Sequence, residues 1–420
     1  MKFAPGVPLA IALAFDATKP RQPVGKLAMA GGLAQLEWSK DVVDGARPIS
    51  PVLYPPEAGL HAARSRDFEG LHGFLADSLP EGWGRLLMRR RLAKLGVRME
   101  ELNGLERLAL VGTRGRGALV FEPATTPPDT VETLDLDALA AEATAILMGE
   151  EGTLADTLAG LAQGSGGTRP KVHVGFGSQG RISVADGETA PDHESWLVKF
   201  RAPADPIDIG PIEAAYASMA EAAGLMMSAY RLLPAKAGPG YFATSRFDRP
   251  APGRRLHMIS LCGAIEAPAD RPSASYDTFM RATQAITRHA DDVAACFRRM
   301  IFNVLAHNRD DHTRQHSFLM DAIGNWRLAP AYDLTFSPGP GGEHYLDIEG
   351  EGRKPTAGHI AAIGRRHGFK DRAIATAIDA VRAAVADWPR FAKEAGVTNA
   401  SRQSIASAHD AVWGTFGKMR

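Results

Sequence analysis

The sequence predicts an α+β fold in three successive units: a β-rich N-terminal unit, a central α/β unit and a mostly helical C-terminal unit. Three observations carry this. Residues 1–60 hold short apolar runs broken by Pro and Gly, the pattern of strands and turns. The centre alternates strand-like runs with one amphipathic stretch, Ile212–Leu225. From about residue 275 onward, Ala- and Arg-rich segments keep helical periodicity.

Taken in order, Met1–Ala14 has features of a weak secretory signal, but Leu9–Phe15 is short and follows Pro5 and Pro8. A strand is the better reading. A second apolar run, Gly25–Leu36, follows a Lys/Pro/Gln turn as a hairpin would. Residues 66–103 turn helical: Phe74, Leu79, Trp83, Leu86, Leu87, Leu92 and Leu95 recur at near-helical spacing, with a break at Pro80-Glu81-Gly82. Arg85, Arg89, Arg90 and Arg91 read as a solvated helix face. Gly112–Gly117 leads into the strand 118–121, and the Thr/Pro-rich Ala124–Asp129 is the first linker.

Residues 131–162 follow as one or two helices, then a glycine-rich stretch. The predicted strands are Lys171–Phe176, Arg181–Ala185, Ser195–Phe200, Tyr230–Leu233 and Tyr241–Arg246. Helices are expected over Tyr276–His307, Thr356–Phe391 and Ser401–Thr415. The units are 1–123, 131–255 and 256–420.

Composition excludes several classes. A chain of 420 residues exceeds one ordinary core. Formal net charge is zero, so no global basic field holds nucleic acid. Cys262 and Cys296 are the sole cysteines, which is no disulfide framework and fits a reducing, cytoplasmic setting. No apolar run reaches the roughly 20 residues of a spanning helix, so no membrane association is expected.

The chemistry concentrates in Asn308-Arg309-Asp310-Asp311-His312-Thr313-Arg314-Gln315-His316-Ser317, followed downstream by Tyr332-Asp333. Phosphoryl transfer from a nucleotide needs such a layout: one carboxylate to accept the hydroxyl proton, an amide beside the metal, and a second carboxylate on Mg²⁺. Asp310 and Asp311 are adjacent, so on a loop they diverge: one is the base and the other fixes the loop. Gln315 stands where an amide metal ligand is wanted, and Asp333 is the natural Mg²⁺ ligand. A polar loop whose Asp and Asn residues cap turns is the bland alternative.

Three other segments support the block. Gln163–Lys171 has glycines that let backbone N–H groups approach a phosphate, although such a stretch is also an ordinary connector. It lacks the Gly-Lys-Ser/Thr of a Walker loop. Lys199 is a single charge in the apolar strand Trp196–Phe200: it snorkels from an edge or reaches phosphate charge in a cleft. Glu213 either pairs with Lys199 or is a first-turn acid favoured by the helix dipole, and the second reading is preferred. Thr244–Arg249 is either an adenine-side linker or, as its own residues favour, a strand end with Arg246 and Arg249 exposed.

A rival reading, a metal-dependent hydrolase, places Zn²⁺ or Fe²⁺ on His312 and His316, four apart, with Asp310 or Asp333. Arg309 and Arg314 oppose a cation there, and the glycine stretch and Lys199 stay unexplained.

On these motifs the chain resembles the HipA family, serine/threonine-kinase toxins of type II toxin–antitoxin modules. The carriers are 74–82, ending Leu-Pro-Glu-Gly, then Gly166-Gly167-Thr168-Arg169-Pro170-Lys171, the block 308–317, and Leu328–Asp333. The resemblance implies a kinase-like two-lobe core with an extra N-terminal β-rich subdomain. It implies ATP and Mg²⁺, with Asp310 as general base. Gly166, Gly167, Thr168, Arg169, Pro170 and Lys171 would cover the phosphates, with Lys199 holding them. Ser245, Arg246 and Phe247 would form the adenine-side linker. His312, Thr313, Arg314, Gln315 and Tyr332 would line the nucleotide, and Asp333 would ligate Mg²⁺. It also implies a small HipB-like DNA-binding antitoxin, through which nucleic acid is reached indirectly, and a protein substrate such as an aminoacyl-tRNA synthetase.

Two positions depart from the family pattern. Its metal-binding Asn is Gln315 here, and one extra methylene moves the amide oxygen by roughly 1 Å at a cation strict about geometry. The serine whose autophosphorylation silences well-studied members falls at Gly164, with Ser165 one residue along. Gln315 therefore keeps open a second reading, a non-catalytic kinase-fold regulator that binds nucleotide and an antitoxin.

Overall fold

A computed structural model of the chain describes residues 7–125, 135–150, 154–162, 166–177, 182–184 and 193–417. The possible signal start at Met1–Phe3, most of the Ala124–Asp129 linker, Gln163–Ser165, and both ends of the strand expected over Arg181–Ala185 lie outside the described residues.

The N-terminal unit carries β1 (Leu9–Leu13), β2 (Gln22–Ala30), β3 (Leu33–Trp38), α1 (Lys40–Asp44), β4 (Leu60–Ala62), α2 (Gly73–Ala76), α3 (Gly82–Lys94), α4 (Gly104–Val111) and β5 (Leu119–Glu122). Its strands form a five-stranded sheet in the order β4-β3-β2-β1-β5, every pair antiparallel. Leu9, Ile11 and Leu13 alternate inward, as the two-residue period of a strand requires. The apolar run Gly25–Leu36 is two strands rather than one. Gly31 and Gly32 take φ of 59° and 81° between Ala30 and Leu33, the left-handed pair a two-residue hairpin turn needs.

Between α2 and α3 the chain breaks at Pro80, as the Pro80-Glu81-Gly82 punctuation suggests. Of the arginines of α3, Arg85 and Arg89 are exposed, while Arg90 and Arg91 are half-buried. Arg85 pairs with Glu69 at 3.5 Å and Arg89 with Glu100 at 3.3 Å. Arg90 donates to the carbonyls of Ile146 and Glu150, satisfying a helix end.

The central unit holds α5 (Leu136–Leu147), α6 (Ala155–Leu161), β6 (Lys171–Phe176), β7 (Ile182–Val184), β8 (Glu194–Lys199), α7 (Ile209–Ala222), β9 (Tyr230–Leu233) and β10 (Tyr241–Ser245). Its sheet is antiparallel in the order β7-β6-β8-β10-β9, with α7 packed on β9 and β10. This sheet has its own apolar core, which recruits Trp83 and Leu87 from α3.

The remainder is β11 (His257–Ser260), α8 (Leu261–Ile265), β12 (Ala274–Ser275), α9 (Tyr276–Thr287), α10 (Ala290–Leu305), β13 (Ser317–Met320), β14 (Trp326–Leu328), β15 (Leu346–Asp347), α11 (Ala357–Arg366), α12 (Asp371–Ala386), α13 (Trp388–Glu394) and α14 (Asn399–Phe416). The small sheet β11-β13-β14 anchors the chemistry-bearing block, which runs from the end of α10 into β13. The core of the N-terminal sheet is continuous with that of these helices. Both cysteines are buried and unbridged. Among the described residues, no helix is long and apolar enough to cross a membrane.

Candidate active site

The block 308–316 is held rigid from behind. Asn308 donates to Asn303, Asn303 to the Tyr276 hydroxyl, and Tyr276 to Asp311 at 2.7 Å. Asp311 also meets His344 Nδ1 at 2.8 Å and accepts from the Tyr345 N–H at 2.8 Å. It is fully buried, and although burial opposes its charge, His344 and Tyr276 hold its carboxyl below the usual range. Both oxygens of Asp311 are therefore engaged by the scaffold.

Asp310 points the other way, into an open groove. Among the described residues no hydrogen bond reaches its carboxylate, and His312 Nε2 lies 3.8 Å away. Partial burial pushes its carboxyl up, against the pull of His312. The two adjacent acids thus divide as the sequence expects, one inward and one outward.

Opposite this loop, Lys199 on β8 ion-pairs with both Glu213 of α7 and Asp333. Burial works against the ammonium, but the Asp333 and Glu213 carboxylates outweigh it and hold Lys199 protonated. This corrects the preference for Glu213 as a dipole-stabilised first-turn acid. Glu213 lies beyond the first turn of α7, its carboxylate is buried, and its partner is Lys199. Lys199 is accordingly no edge-strand snorkeller: β8 lies between β6 and β10.

Asp333 adopts φ of 57°, a left-handed turn that sets its carboxylate between Lys199 and the Gln315 amide, 3.0 Å away. Burial opposes its charge too, yet Lys199 and Lys171 hold it well below the ordinary range. Lys171 is buried, and among the described residues no carboxylate lies within ion-pair reach of it; burial pulls its ammonium down to about 8.

Two cavities meet at this point. The inner one is a partly open pocket with about 140 Å³ of water-accessible space. Gly166, Gly167, Lys171 and Lys199 line one side, and His312, Arg314, Gln315, Tyr332 and Asp333 the other. Ser245, Arg246 and Phe247 close its apolar end, where the Phe247 and Tyr332 rings lie 5.4 Å apart. The outer groove takes Thr168, Arg169 and Asp310. Pro170 and Thr313 are turned into the protein: the Pro170 carbonyl accepts from Phe200, and the Thr313 hydroxyl donates to the Ala267 carbonyl.

Arg246 and Arg249 are not exposed, contrary to the reading of that strand end taken alone. Both close on buried Asp248, which they hold far below the carboxylate range against its burial. His312 and His316 do not converge into a metal cluster: His316 is buried and stacks on Phe279 at 4.2 Å, and among the described residues no three His, Cys, Asp or Glu side chains are placed to hold an ion. The residues that sequence reasoning missed come from the N-terminal unit. Glu81 and Arg116 both line the inner cavity. The Leu79-Pro80-Glu81-Gly82 punctuation was the available signal, read only as a motif.

Fold and cleft together define an α+β protein with a kinase-like architecture. The sequence profile of the HipA-like C-terminal domain matches residues 164–388, and that of the HipA N-terminal domain matches 16–122. The chain belongs to the HipA family. The Shewanella oneidensis MR-1 HipA, solved with HipB and operator DNA, superposes with a TM-score of 0.67 at 17% identity, covering 96% of this chain and 95% of that one. The Helicobacter pylori proinflammatory kinase CtkA gives only 0.31 at 13% identity over 50% of this chain and 92% of its own, too low to carry an argument. A Haemophilus influenzae (strain ATCC 51907 / DSM 11121 / KW20 / Rd) protein named "Putative kinase" is 29% identical over 109 residues, 24% of this chain. The chain spans about a third of that curated relative, 32% of its length.

Proposed function

We propose that this protein is an ATP- and Mg²⁺-dependent serine/threonine protein kinase, the toxin of a toxin–antitoxin pair, with Asp310 as the general base. The division of labour between Asp310 and Asp311 carries this reading. One carboxylate is buried and held on both oxygens by Tyr276, His344 and the Tyr345 N–H, and its neighbour faces a groove and takes no hydrogen bond from the described residues.

The nucleotide's phosphates would lie between the glycine loop, Lys171 and Lys199, and its base between Ser245–Phe247 and Tyr332. Asp333 and Gln315 fit Mg²⁺: their polar atoms already touch, and a hard cation accepts one carboxylate, one amide oxygen, waters and phosphate oxygens. The bound ion would supply charge neutralisation across the phosphates. In that state the Gln315 amide turns its oxygen rather than its nitrogen to the site. A hydroxyl-bearing side chain of a protein substrate would enter by the outer groove and pass its proton to Asp310. The HipB-bound relative supports a HipB-like antitoxin as partner, and any DNA contact would run through it.

The test incubates the protein with labelled ATP, Mg²⁺ and a cell extract. Label on an extract protein supports the kinase. ATP binding without transfer supports the non-catalytic regulator, and absence of nucleotide binding ends both readings. Gln315→Asn is expected to retain or raise the transfer rate, because the shorter amide is the ordinary ligand at this position; a rate reduced more than tenfold removes Gln315 from the metal.

Lys171 gives a second expected result. Its ammonium is depressed to about 8, so it is charged below that pH and neutral above it. ATP affinity is expected to fall as pH rises through about 8, and Lys171→Met to flatten that dependence. Titration calorimetry at pH 7 and 9 checks both.

A further inference from the structure

The N-terminal unit reaches the phosphate side of the cleft through one short segment. Glu81 Oε2 accepts from the Gly167 N–H at 2.8 Å, while Oε1 pairs with Arg116 at 3.2 Å and with Arg314 of the 308–317 block. The next residues dock on the same loop. Trp83 N–H donates to the Gly167 carbonyl at 3.2 Å, and its indole donates to the Lys171 carbonyl at 3.2 Å. The approach leaves no room for a side chain: a Cβ on Gly82 would stand 2.7 Å from Thr168 Cα and 2.8 Å from the Gly167 carbonyl oxygen.

We propose that Glu81 is a positioning residue that latches the glycine loop to Arg314, so that the N-terminal unit is a working part of the phosphate site. The proposal rests on the kinase reading for its consequence but not for its geometry. A glycine loop has little conformational preference of its own, so its shape must be imposed from outside. Glu81 does this by fixing the Gly167 amide on one oxygen. Its second oxygen holds two guanidinium groups at the rim of the cavity, poised beside the space the phosphates would take. Arg314 connects the latch to the same loop as Asp310, so the nucleotide side and the transfer side are held in one register.

The experiment uses the full chain with Glu81→Ala, and Glu81→Gln as the variant that keeps volume and an acceptor. Amide hydrogen exchange is followed in the peptide covering 166–171 without nucleotide, and ATP·Mg²⁺ dissociation constants are measured alongside. The expected result is exchange at least tenfold faster in Glu81→Ala, and ATP binding weakened at least tenfold, with Glu81→Gln intermediate on both. A variant that only lowered the melting temperature, with the peptide still protected and ATP affinity unchanged, would overturn the proposal. If neither protein binds ATP, the kinase reading fails while the exchange comparison still decides the latch. If Glu81→Ala does not fold, Glu81→Gln alone decides it by the same two readouts.

Discussion

Replacing Asp310 with Asn is expected to lower kcat by about 10³-fold, within the range a positioned general base contributes, and to leave ATP affinity within about twofold. The asymmetry follows from where the carboxylate sits. Asp310 faces the groove and takes no hydrogen bond from the described residues, so the amide costs the scaffold little. Asp311→Asn is the control with the opposite signature. That carboxylate is fully buried among Tyr276, His344 and the Tyr345 N–H, and breaking such a buried charged network costs about 3–5 kcal/mol. Single-turnover transfer and a urea midpoint on both variants separate the roles. Equal activity losses without a stability loss in Asp311→Asn would make the assignment of Asp310 wrong. The pH profile adds a check. Because burial raises the Asp310 carboxyl, the acid limb of kcat/KM should lie above the ordinary carboxylate range, with the rate rising as pH rises through it.

The second large effect is on stability. His72, His257 and His409 are buried with imidazoles pushed by burial down to about 4, and His316 to about 3. Unfolded, each returns to the ordinary value of about 6.5. The unfolded chain then binds more protons in the interval between, so stability is complete above about pH 6.5 and is lost as pH falls towards 4. Each of the four withdraws about 3 kcal/mol across that window, which together rivals the whole net stability of a typical fold. Urea midpoints at pH 7.5, 6 and 5 should fall steeply. His72→Gln keeps a donor for the His61 carbonyl, 2.8 Å from the present ring nitrogen, and removes one titration. Its acid limb should be shallower by one proton, and an unchanged slope would show that His72 is not among the groups responsible.

Much of this fold was legible because strands and helices announce themselves by period. Lys171–Phe176 and Tyr230–Leu233 have the bounds expected of them, and Pro80-Glu81-Gly82 breaks the helical stretch where it stands. What was not legible is long-range. The Lys199–Glu213 pair was one of two readings, and the first-turn acid was preferred because nothing local to Glu213 decides between them. Arg246 and Arg249 looked solvated because Asp248, beside them, becomes a buried centre only when Gly117 arrives from the N-terminal unit to donate its N–H. Gly25–Leu36 read as an apolar run, and the turn at Gly31-Gly32 that splits it into two strands is fixed by the β2–β3 register. Glu81 was hidden for the same reason: its three partners come from 116, 167 and 314.

The continuous core shared by the N-terminal sheet and the C-terminal helices has a consequence for synthesis. The sheet can close its strand pairing once Glu122 has left the ribosome, since β1 meets β5 there. Helices α1 and α4 of the same unit pack on it, and its core then runs on into Ile259, Tyr276 and Phe279. A ribosome-bound chain therefore carries an incomplete core through the making of the entire central unit. Neither Asp310 nor Asp333 has yet been added when that interval begins. A partly made copy thus has neither a finished core nor a finished cleft, because the residues of both are drawn from all three units.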